Sequence, residues 1–386
     1  MSGYEDLHDE LRAVARDLLG KAAAPAWGAF VDAGWPGLEV PEELGGAGVS
    51  FAEVAVVLEE MGRAATASPF LGTAVLGVGT LGLLEPGDAR DALLAAVAAG
   101  EARVAVAVTD GAVDTAGGTP PFRLERDGAG LRLHGEAGFV PDAVSADRLL
   151  VLARDPDGAP VVVDTSPAVV LRVPDPLLSN GSRTQSADDG PAGGLTITEQ
   201  PVLDATRDLG RVEADGVEVA DASVLRFAPG VEGPARTLAD RAAVALACDS
   251  VGVAEAMLDA TVAYAGVRQQ FGRPIGSFQA VKHMCADMLV EVTVARELLA
   301  GAVRAVAAGG APGEASAAAS MAKSQVGAMA VDVVGTALQL HGGIGYTWES
   351  DGHVYLKRAA LNRALFGSPR AHRRRLAGRL AVASTP

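Results

Sequence analysis

Cysteine is nearly absent: Cys248 and Cys285 are the only two in 386 residues. Both fall inside helical patterns, which argues against a disulfide framework and makes a reducing cytoplasm the expected compartment. Long apolar runs are missing as well. The longest, near residues 74–84, is broken by Glu85-Pro86-Gly87-Asp88 and is too short to cross a bilayer. The N-terminus, Met1-Ser2-Gly3-Tyr4-Glu5-Asp6-Leu7-His8-Asp9-Glu10, is acidic and polar and does not read as a signal peptide. Positive charge is in deficit, with 32 basic against 48 acidic residues and a formal charge of −16. No global positive field exists to attract nucleic acid or an anionic membrane. The histidines at 134, 283, 341, 353 and 372 lack the spacing of metal ligands.

What the chain does have is length and apolar content, 49% hydrophobic residues, enough for two or three domains. Residues 1–100 read as helical. Leu7, Leu11, Val14 and Leu18 recur at helical spacing, and Ser50 with Glu53 forms a capping box ahead of Val54, Val57, Leu58 and Met61. Residues 101–230 change character. Val104 to Thr109, Leu131 to Gly135, Leu149 to Val151, Pro160 to Asp164 and Val169 to Val173 read as short strands between turn signals, which predicts a β-barrel or sandwich. The stretch from Ser179 to Gly194 reads as a loop. Residues 231–386 read as a helical bundle, with helices from near Thr237 to Phe271, from a Ser277 cap onward, from Gly313 to Leu340, Val354 to Leu365 and Arg370 to Leu380. In the second of these, Val281, Met284, Cys285, Met288, Leu289 and Val292 form an apolar stripe. The fold class expected is therefore α+β, with N-terminal helices, a middle β-barrel or sandwich and a C-terminal bundle of long helices.

Two motifs carry the chemistry. The first is Arg268-Gln269-Gln270-Phe271-Gly272-Arg273-Pro274-Ile275, where Gly272 stops a long helix, Pro274 bars its continuation and Arg268 offers a planar fork of donors for phosphate. The second is Gln339-Leu340-His341-Gly342-Gly343-Ile344-Gly345-Tyr346, where glycines after another long helix bare backbone amides to a ligand. Read singly, the first is equally a helix C-cap with an arginine that complements the helix dipole. Read together, with Gln270 and Gln279 as neutral donors, they describe a cradle for a diphosphate-bearing cofactor.

Arg268-x-x-Phe271-Gly272-x-Pro274-Ile275 with Phe278-Gln279, then Gln339-x-x-Gly342-Gly343-x-Gly345-Tyr346, resembles the acyl-CoA dehydrogenase family of flavoproteins. Gly34-Trp35-Pro36-Gly37-Leu38 through Gly45-Gly46-x-Gly48 is similar to that family's N-terminal region, as is Val57-Leu58-Glu59-Glu60-Met61-Gly62-Arg63. Leu133-His134-Gly135-Glu136-Ala137-Gly138-Phe139-Val140-Pro141-Asp142 is similar to its flavin-side strand. The resemblance covers nearly the whole chain in order. It implies an N-terminal α-domain, a middle β-barrel and a C-terminal four-helix bundle, with FAD held across a subunit interface, a homo- or hetero-oligomer built as a dimer of dimers, an acyl-CoA or carrier-bound acyl thioester as substrate, and an acceptor such as an electron-transfer flavoprotein. Carried over by position, Arg268, Gln270 and Phe271 contact the FAD of a neighbouring subunit, with Gln279, Gln339, Gly342 and Gly343 completing the cradle. Thr109 matches a threonine on the isoalloxazine edge. Phe139 stands where the family usually has a tryptophan, and Pro141 replaces a threonine that bonds the flavin.

The reaction so implied is α,β-dehydrogenation, in which a carboxylate removes the α-proton as a hydride leaves the β-carbon. Two positions supply that base in the family, and neither holds a carboxylate here. The loop after the glycine pair reads Leu365-Phe366-Gly367-Ser368-Pro369, and the position on the first long helix is Ala242, followed by Ala243. The nearby acids are Asp240, Asp249, Glu255 and Asp259. Asp249, two helical turns beyond Ala242, is the weak candidate for a displaced base. Besides a self-sufficient dehydrogenase, the sequence admits a non-catalytic partner subunit of a heterotetramer and a fold relative that uses flavin for oxygen chemistry. After Thr109-Asp110 the family's Pro-Gly-x-Gly-Ser-Asp run is replaced by Gly111-Ala112-Val113-Asp114-Thr115.

Overall fold

In a computed structural model the structure describes residues 2–108, 120–128, 130–165, 170–173, 195–309, 312–346 and 350–383. Helices come first, then strands, then helices again, as the sequence pattern predicts. The opening helices are α1 (Ser2–Leu19), α2 (Trp27–Asp32), α3 (Phe51–Arg63), α4 (Val78–Leu81) and α5 (Asp88–Ala98). Ser50 caps α3: its hydroxyl accepts the Ala52 amide at 3.2 Å, while Glu53 Oε2 accepts the Ser50 amide at 2.9 Å. That reciprocal satisfaction of bare amides is why the helix starts there. Between α3 and α4, Leu71–Gly77 winds as a wholly buried π-helical turn, a rare geometry enriched at functional sites. Thr73 pins it to the sheet, its hydroxyl donating to the Val104 carbonyl and accepting the Val104 amide.

The middle region is one nine-stranded sheet of β1 (Val104–Ala107), β2 (Phe122–Asp127), β3 (Gly130–Pro141), β4 (Arg148–Arg154), β5 (Pro160–Thr165), β6 (Val170–Val173), β7 (Leu195–Glu199), β8 (Leu209–Val219) and β9 (Val224–Arg226). The strand order is β6-β7-β8-β3-β2-β4-β5-β9, with β1 parallel to β4. Phe122, Leu133, Val151, Val163, Ile197, Val212 and Val217 alternate inward and bury one another in a core of their own. The strands β2, β7, β8 and β9 were not anticipated. In β2 and β8 charged residues alternate with the apolar ones, as in Phe122-Arg123-Leu124-Glu125, which dilutes the apolar signal on a half-exposed strand.

The closing bundle comprises α6 (Pro234–Val267), α7 (Gln279–Ala307), α8 (Pro312–His341), α9 (Gly352–Ala364) and α10 (Pro369–Ala383). Helix α6 starts with Pro234 at its first position, where the missing amide costs nothing. It is apolar on nearly every side and packs against α3, α7, α8 and α9 at once, which makes it the axle of the molecule. Its crossing with α3 is set by two glycines. A Cβ at Gly62 would lie 2.0 Å from the Asp249 carbonyl oxygen, and one at Gly252 would lie 1.9 Å from that of Glu59. Only hydrogen fits at either place, so the two backbones touch. Two expectations are corrected here. Helix α6 ends at Val267, before Gly272, and Ser277 is no N-cap: its hydroxyl donates to the Pro274 carbonyl, and Phe278 precedes α7.

Candidate functional site

Where α6 ends, Arg268 takes an extended conformation and the chain folds into a miniature hairpin, β10 (Gln269–Gln270) against β11 (Arg273–Pro274). The two residues between the strands, Phe271 and Gly272, have φ of +54° and +77°. Positive φ at both central positions is the geometry of a tight two-residue hairpin turn. Glycine accepts it freely, whereas phenylalanine is strained there. The Phe271 ring is also 91% exposed, touching Phe278 edge-on at 6.0 Å, while the Arg273 guanidinium lies 4.2 Å over the Phe278 ring. Arg268, Gln270 and Gln279, the first residue of α7, share this exposure.

The second motif lies at the same end of the bundle. Tyr264, one turn before Arg268, packs edge-on against His341 at 4.6 Å and donates to its carbonyl at 3.4 Å. Burial lowers the His341 pKa, favouring its neutral form. Exposed Gln339 stands two residues earlier on α8, and Gly342, with φ of +62°, leads into a 3₁₀ turn, Gly342–Tyr346. A Cβ at Gly342 or Gly343 would meet nothing within 4 Å, so a ligand can approach the backbone closely there. The structure therefore brings the two motifs together as an exposed surface of two guanidiniums (Arg268 and Arg273), glutamine side chains, an aromatic ring and accessible glycine backbone. That donor set fits a diphosphate joined to a planar base.

Phe139 is presented by β3 instead. The register against β8 slips between Ala137 and Val140, a β-bulge, and Phe139 within it has φ of +53°. Gln200 fixes the bulge by accepting the Phe139 amide through Oε1, and the ring remains 46% exposed. A bulge re-aims a side chain, and strain held this way concentrates at functional sites. Three residues on, Asp142 is again left-handed (φ +59°) and buried. Its Oδ2 accepts the Gly72 amide of the π-helical turn at 2.6 Å, and its amide donates to the Asp208 carbonyl. Burial pushes the Asp142 carboxyl up to about 7, against the pull of the Gly72 amide and Arg207. Thr109 and the Gly111–Thr115 replacement lie outside the described residues.

Both base positions are apolar and packed. Ala242 and Ala243 are fully buried in the principal core, and so is Phe366, again with a strained φ of +52°. The Phe366 carbonyl is tied down by His372 Nε2 at 2.9 Å, while Nδ1 of that ring lies 3.1 Å from the Ser320 hydroxyl. Burial takes the His372 pKa down to about 4, so the ring is neutral and holds the loop as a donor from Nε2.

Each acid near Ala242 is engaged by arginine. Asp240 takes two bonds from Arg375, at 2.7 and 3.0 Å, plus the Ser316 hydroxyl. Glu255 binds Arg63 and Arg296, and Asp259 binds Arg63 at 2.7 Å. Asp249 is the most constrained. Its carboxylate receives Arg358 Nε and Nη2 at 2.9 and 2.5 Å, Asn362 Nδ2 at 2.6 Å and Arg207 Nη2 at 3.0 Å. Burial alone would raise its pKa, but the two guanidiniums outweigh burial and hold the carboxyl below its ordinary range. A general base for an α-proton needs the opposite shift. The surroundings of Asp249 are those of a charge anchor, and the candidate base finds no support in them. Arg358 ties the anchor outward, donating to the Thr66 carbonyl and the Thr206 hydroxyl, so one node joins the first helices, the sheet and the bundle. Sequence reasoning missed Arg358, Arg207 and Asn362. A signal existed: Arg358 and Asn362 fall in step with Val354, Leu361 and Leu365 on the apolar stripe of α9.

Comparison with known proteins agrees with this geometry. The family model "Acyl-CoA dehydrogenase, N-terminal domain" matches residues 6–101, and "Acyl-CoA dehydrogenase, C-terminal domain" matches residues 235–381. The acyl-CoA dehydrogenase IpdE2 of Mycobacterium tuberculosis is 35% identical over 88% of this chain and 81% of its own length. Among solved structures, a variant of the Tcur3481-Tcur3483 steroid ACAD superposes with a TM-score of 0.79 at 28% identity, covering 98% of this chain and 99% of that one. The ChsE4-ChsE5 complex from Mycobacterium tuberculosis gives 0.79 at 25% identity, covering 100% and 98%. By sequence, fold and motif order, the chain belongs to the acyl-CoA dehydrogenase family, oxidoreductases that act on CH–CH bonds.

Proposed function

We propose that this chain is an FAD-binding subunit of an acyl-CoA dehydrogenase that takes its α-proton base from a different chain. The observation that carries the reading is the filling of both base positions: Ala242 and Phe366 are buried and apolar, and every acid nearby is held by arginine. Loss of a general base costs on the order of 10²–10⁴ in rate, so the chain alone should turn over poorly. On the cofactor side most of the residues that the resemblance calls for are kept, Pro141 being the exception. Arg268 would hold the diphosphate, Gln270, Gln279 and Gln339 its polar flanks, the Gly342 and Gly343 amides its open edge, and the Phe271 ring the adenine. Phe139 would lie against the isoalloxazine, with Thr109 at its edge. When bound, FAD supplies the hydride acceptor for oxidation of the α,β-bond. The residues of this chain orient that acceptor, and the dry packing around Phe366 keeps water from the loop.

That two of the similar solved structures carry the names of two chains, ChsE4-ChsE5 and Tcur3481-Tcur3483, supports a heteromeric assembly over a self-sufficient enzyme. The steroid ACAD relative also points to a steroid-derived acyl thioester as the substrate class. An electron-transfer flavoprotein is the acceptor that the family resemblance implies.

The test uses the purified chain with FAD, followed first by flavin fluorescence for binding and then by absorbance for reduction. Binding without bleaching by any acyl-CoA, steroid side-chain thioesters included, is the expected result. Bleaching at a normal dehydrogenase rate by this chain alone would overturn the partner-subunit reading, and failure to bind FAD in any assembly would overturn the cofactor assignment. Reduced flavin that consumes oxygen with substrate would instead favour oxygen chemistry.

A further inference from the structure

Arg268 and the Gly342-Gly343 pair can act on one ligand only if the ends of α6 and α8 keep a fixed separation. Each half of the cradle is folded back on its own helix at a glycine. A Cβ at Gly276 would lie 2.9 Å from the Ala265 carbonyl oxygen, so the turn Ile275–Ser277 rests on the last turns of α6. A Cβ at Gly345 would lie 2.8 Å from the Leu338 carbonyl oxygen and 3.1 Å from the His341 Cβ, so Gly342–Tyr346 rests on the last turn of α8. A larger residue at either place would push the turn away. These contacts shape the halves singly and do not set one against the other. Helix α7 does not set them either. It begins at Gln279, but its first buried residue is Met288, and Leu289 of the stripe expected turns outward at 56% exposure. Its opening turns carry Gln279 without bracing it.

Tyr264 and His341 span the gap between the two ends. Tyr264 stands four residues before Arg268, and its carbonyl accepts the Arg268 amide at 2.8 Å, the last helical bond of α6. His341 is the last residue of α8 and immediately precedes Gly342, where φ turns to +62°. The two rings meet edge-on, 4.6 Å between centroids and 81° between planes, and the Tyr264 hydroxyl donates to the His341 carbonyl at 3.4 Å. The Ala260 carbonyl, one turn further back on α6, also engages the His341 ring. Both side chains are half-buried, and the core below them closes without them: Met257 and Leu258 of α6 and Val334, Ala337 and Leu338 of α8 are buried there. An edge-on ring pair prefers a particular separation and angle, a restriction that aliphatic packing lacks. The pair therefore fixes where Arg268 leaves one helix and Gly342 leaves the other, more than it holds the bundle together.

We propose that Tyr264 and His341 are a positioning pair for the diphosphate end of the cofactor, holding the Arg268 and Gly342-Gly343 halves of the cradle in register before the ligand arrives. Such pre-organisation raises affinity because the ligand need not order two loops on binding. The inference rests on the cofactor reading above and adds two residues that stand behind the binding surface.

The test is a double-mutant cycle on the full-length chain, with ADP as the probe because it carries the diphosphate and the planar base without the flavin ring. Calorimetric titration compares the wild type with Tyr264→Ala, His341→Ala and the double variant, and Tyr264→Phe is the conservative replacement that keeps the ring. Each alanine variant should bind ADP about tenfold more weakly, the double variant no worse than either single one, and Tyr264→Phe within about threefold of the wild type. In the alanine variants, amide hydrogen exchange should quicken together at residues 268–277 and 342–346, while the interior of α6 keeps its wild-type rates. Wild-type ADP affinity in both single variants, losses that multiply in the double variant, or faster exchange confined to the mutated half would overturn the positioning pair and leave the cofactor reading standing. General loosening of α6 by either alanine would show that the pair merely holds the bundle, and overturns it as well. A wild-type chain that takes up neither ADP nor FAD would instead sink the cofactor reading, and this inference with it.

Discussion

Replacing Asp142 with asparagine should make the protein less sensitive to pH. The wild-type carboxyl is buried among Arg207, Arg358 and Asp208, and burial moves it from an ordinary 3.8 to about 7. A group with a raised folded pKa binds a proton that the unfolded chain has already lost. Its contribution to stability is fully present below the unfolded pKa, declines as pH rises between about 4 and 7, and is gone above that window. Each pH unit inside the window costs about 1.4 kcal/mol, so between pH 5 and pH 8 the wild type loses about 3 kcal/mol from this group. Asparagine keeps an oxygen to accept the Gly72 amide, the 2.6 Å bond that ties β3 to the π-helical turn. It has no proton to lose. Urea unfolding of both proteins at about pH 5 and about pH 8 isolates the difference from all other titrating groups. The variant should match the wild type within about 1 kcal/mol at the lower pH and exceed it by roughly 2–3 kcal/mol at the higher. Parallel stability curves across that range would refute the reasoning, since they would mean that Asp142 is already ionised in the folded state.

Asp249→Asn leaves two buried guanidiniums, Arg358 and Arg207, facing a neutral amide, and loss of one member of a buried pair costs about 3–5 kcal/mol. Chemical denaturation should show that loss, whereas turnover of the assembled enzyme under conditions where the variant stays folded should be unchanged; a selective drop in turnover would restore Asp249 as a base. Gly252→Ala places a methyl 1.9 Å from the Glu59 carbonyl oxygen, against backbone that cannot swing away. Overpacking of this kind costs typically 1–3 kcal/mol, and a thermal midpoint equal to wild type would show that α3 and α6 do not meet as closely as described.

The order of helices, sheet and bundle was legible because the signals are local and strong. A capping box announced α3, valine-rich runs announced β1 and β5, and long periodic stretches announced α6 and the Ala- and Gly-rich α8. The cofactor surface was legible for a different reason: its parts, Arg268 to Phe271 and Gln339 to Gly343, are contiguous in sequence. What stayed hidden depends on contacts between distant residues. Nothing near Asp249 in sequence reveals that Arg358 and Arg207 converge on it from a later helix and from the loop before β8. Helix α6 was extended too far for a related reason. Arg268 to Phe271 carries no helix breaker before Gly272, and it is the pairing of Gln270 with Arg273 that pulls the chain into a hairpin.

The left-handed phenylalanines tie these threads together. Among the described residues, five other than glycine have positive φ, and three are phenylalanine: Phe139, Phe271 and Phe366. Such strain costs of order 1–3 kcal/mol at each residue and persists only where something else compensates. For Phe366 the compensation is visible, since its ring is buried and its carbonyl is held by His372. The loop where the family carries its base has thus become a packed structural turn, and restoring a carboxylate there would place it in a dry core. For Phe139 the Gln200 bond compensates in part, and half the ring still faces outward. For Phe271 the contacts within this chain are slight: one edge-on ring and a hairpin of two residue pairs support a side chain that is almost wholly exposed. A strained, exposed aromatic gains little from its own fold. Its conformation makes energetic sense when a planar ligand or a neighbouring chain covers the ring, which is the condition that the proposed assembly meets and a lone monomer does not.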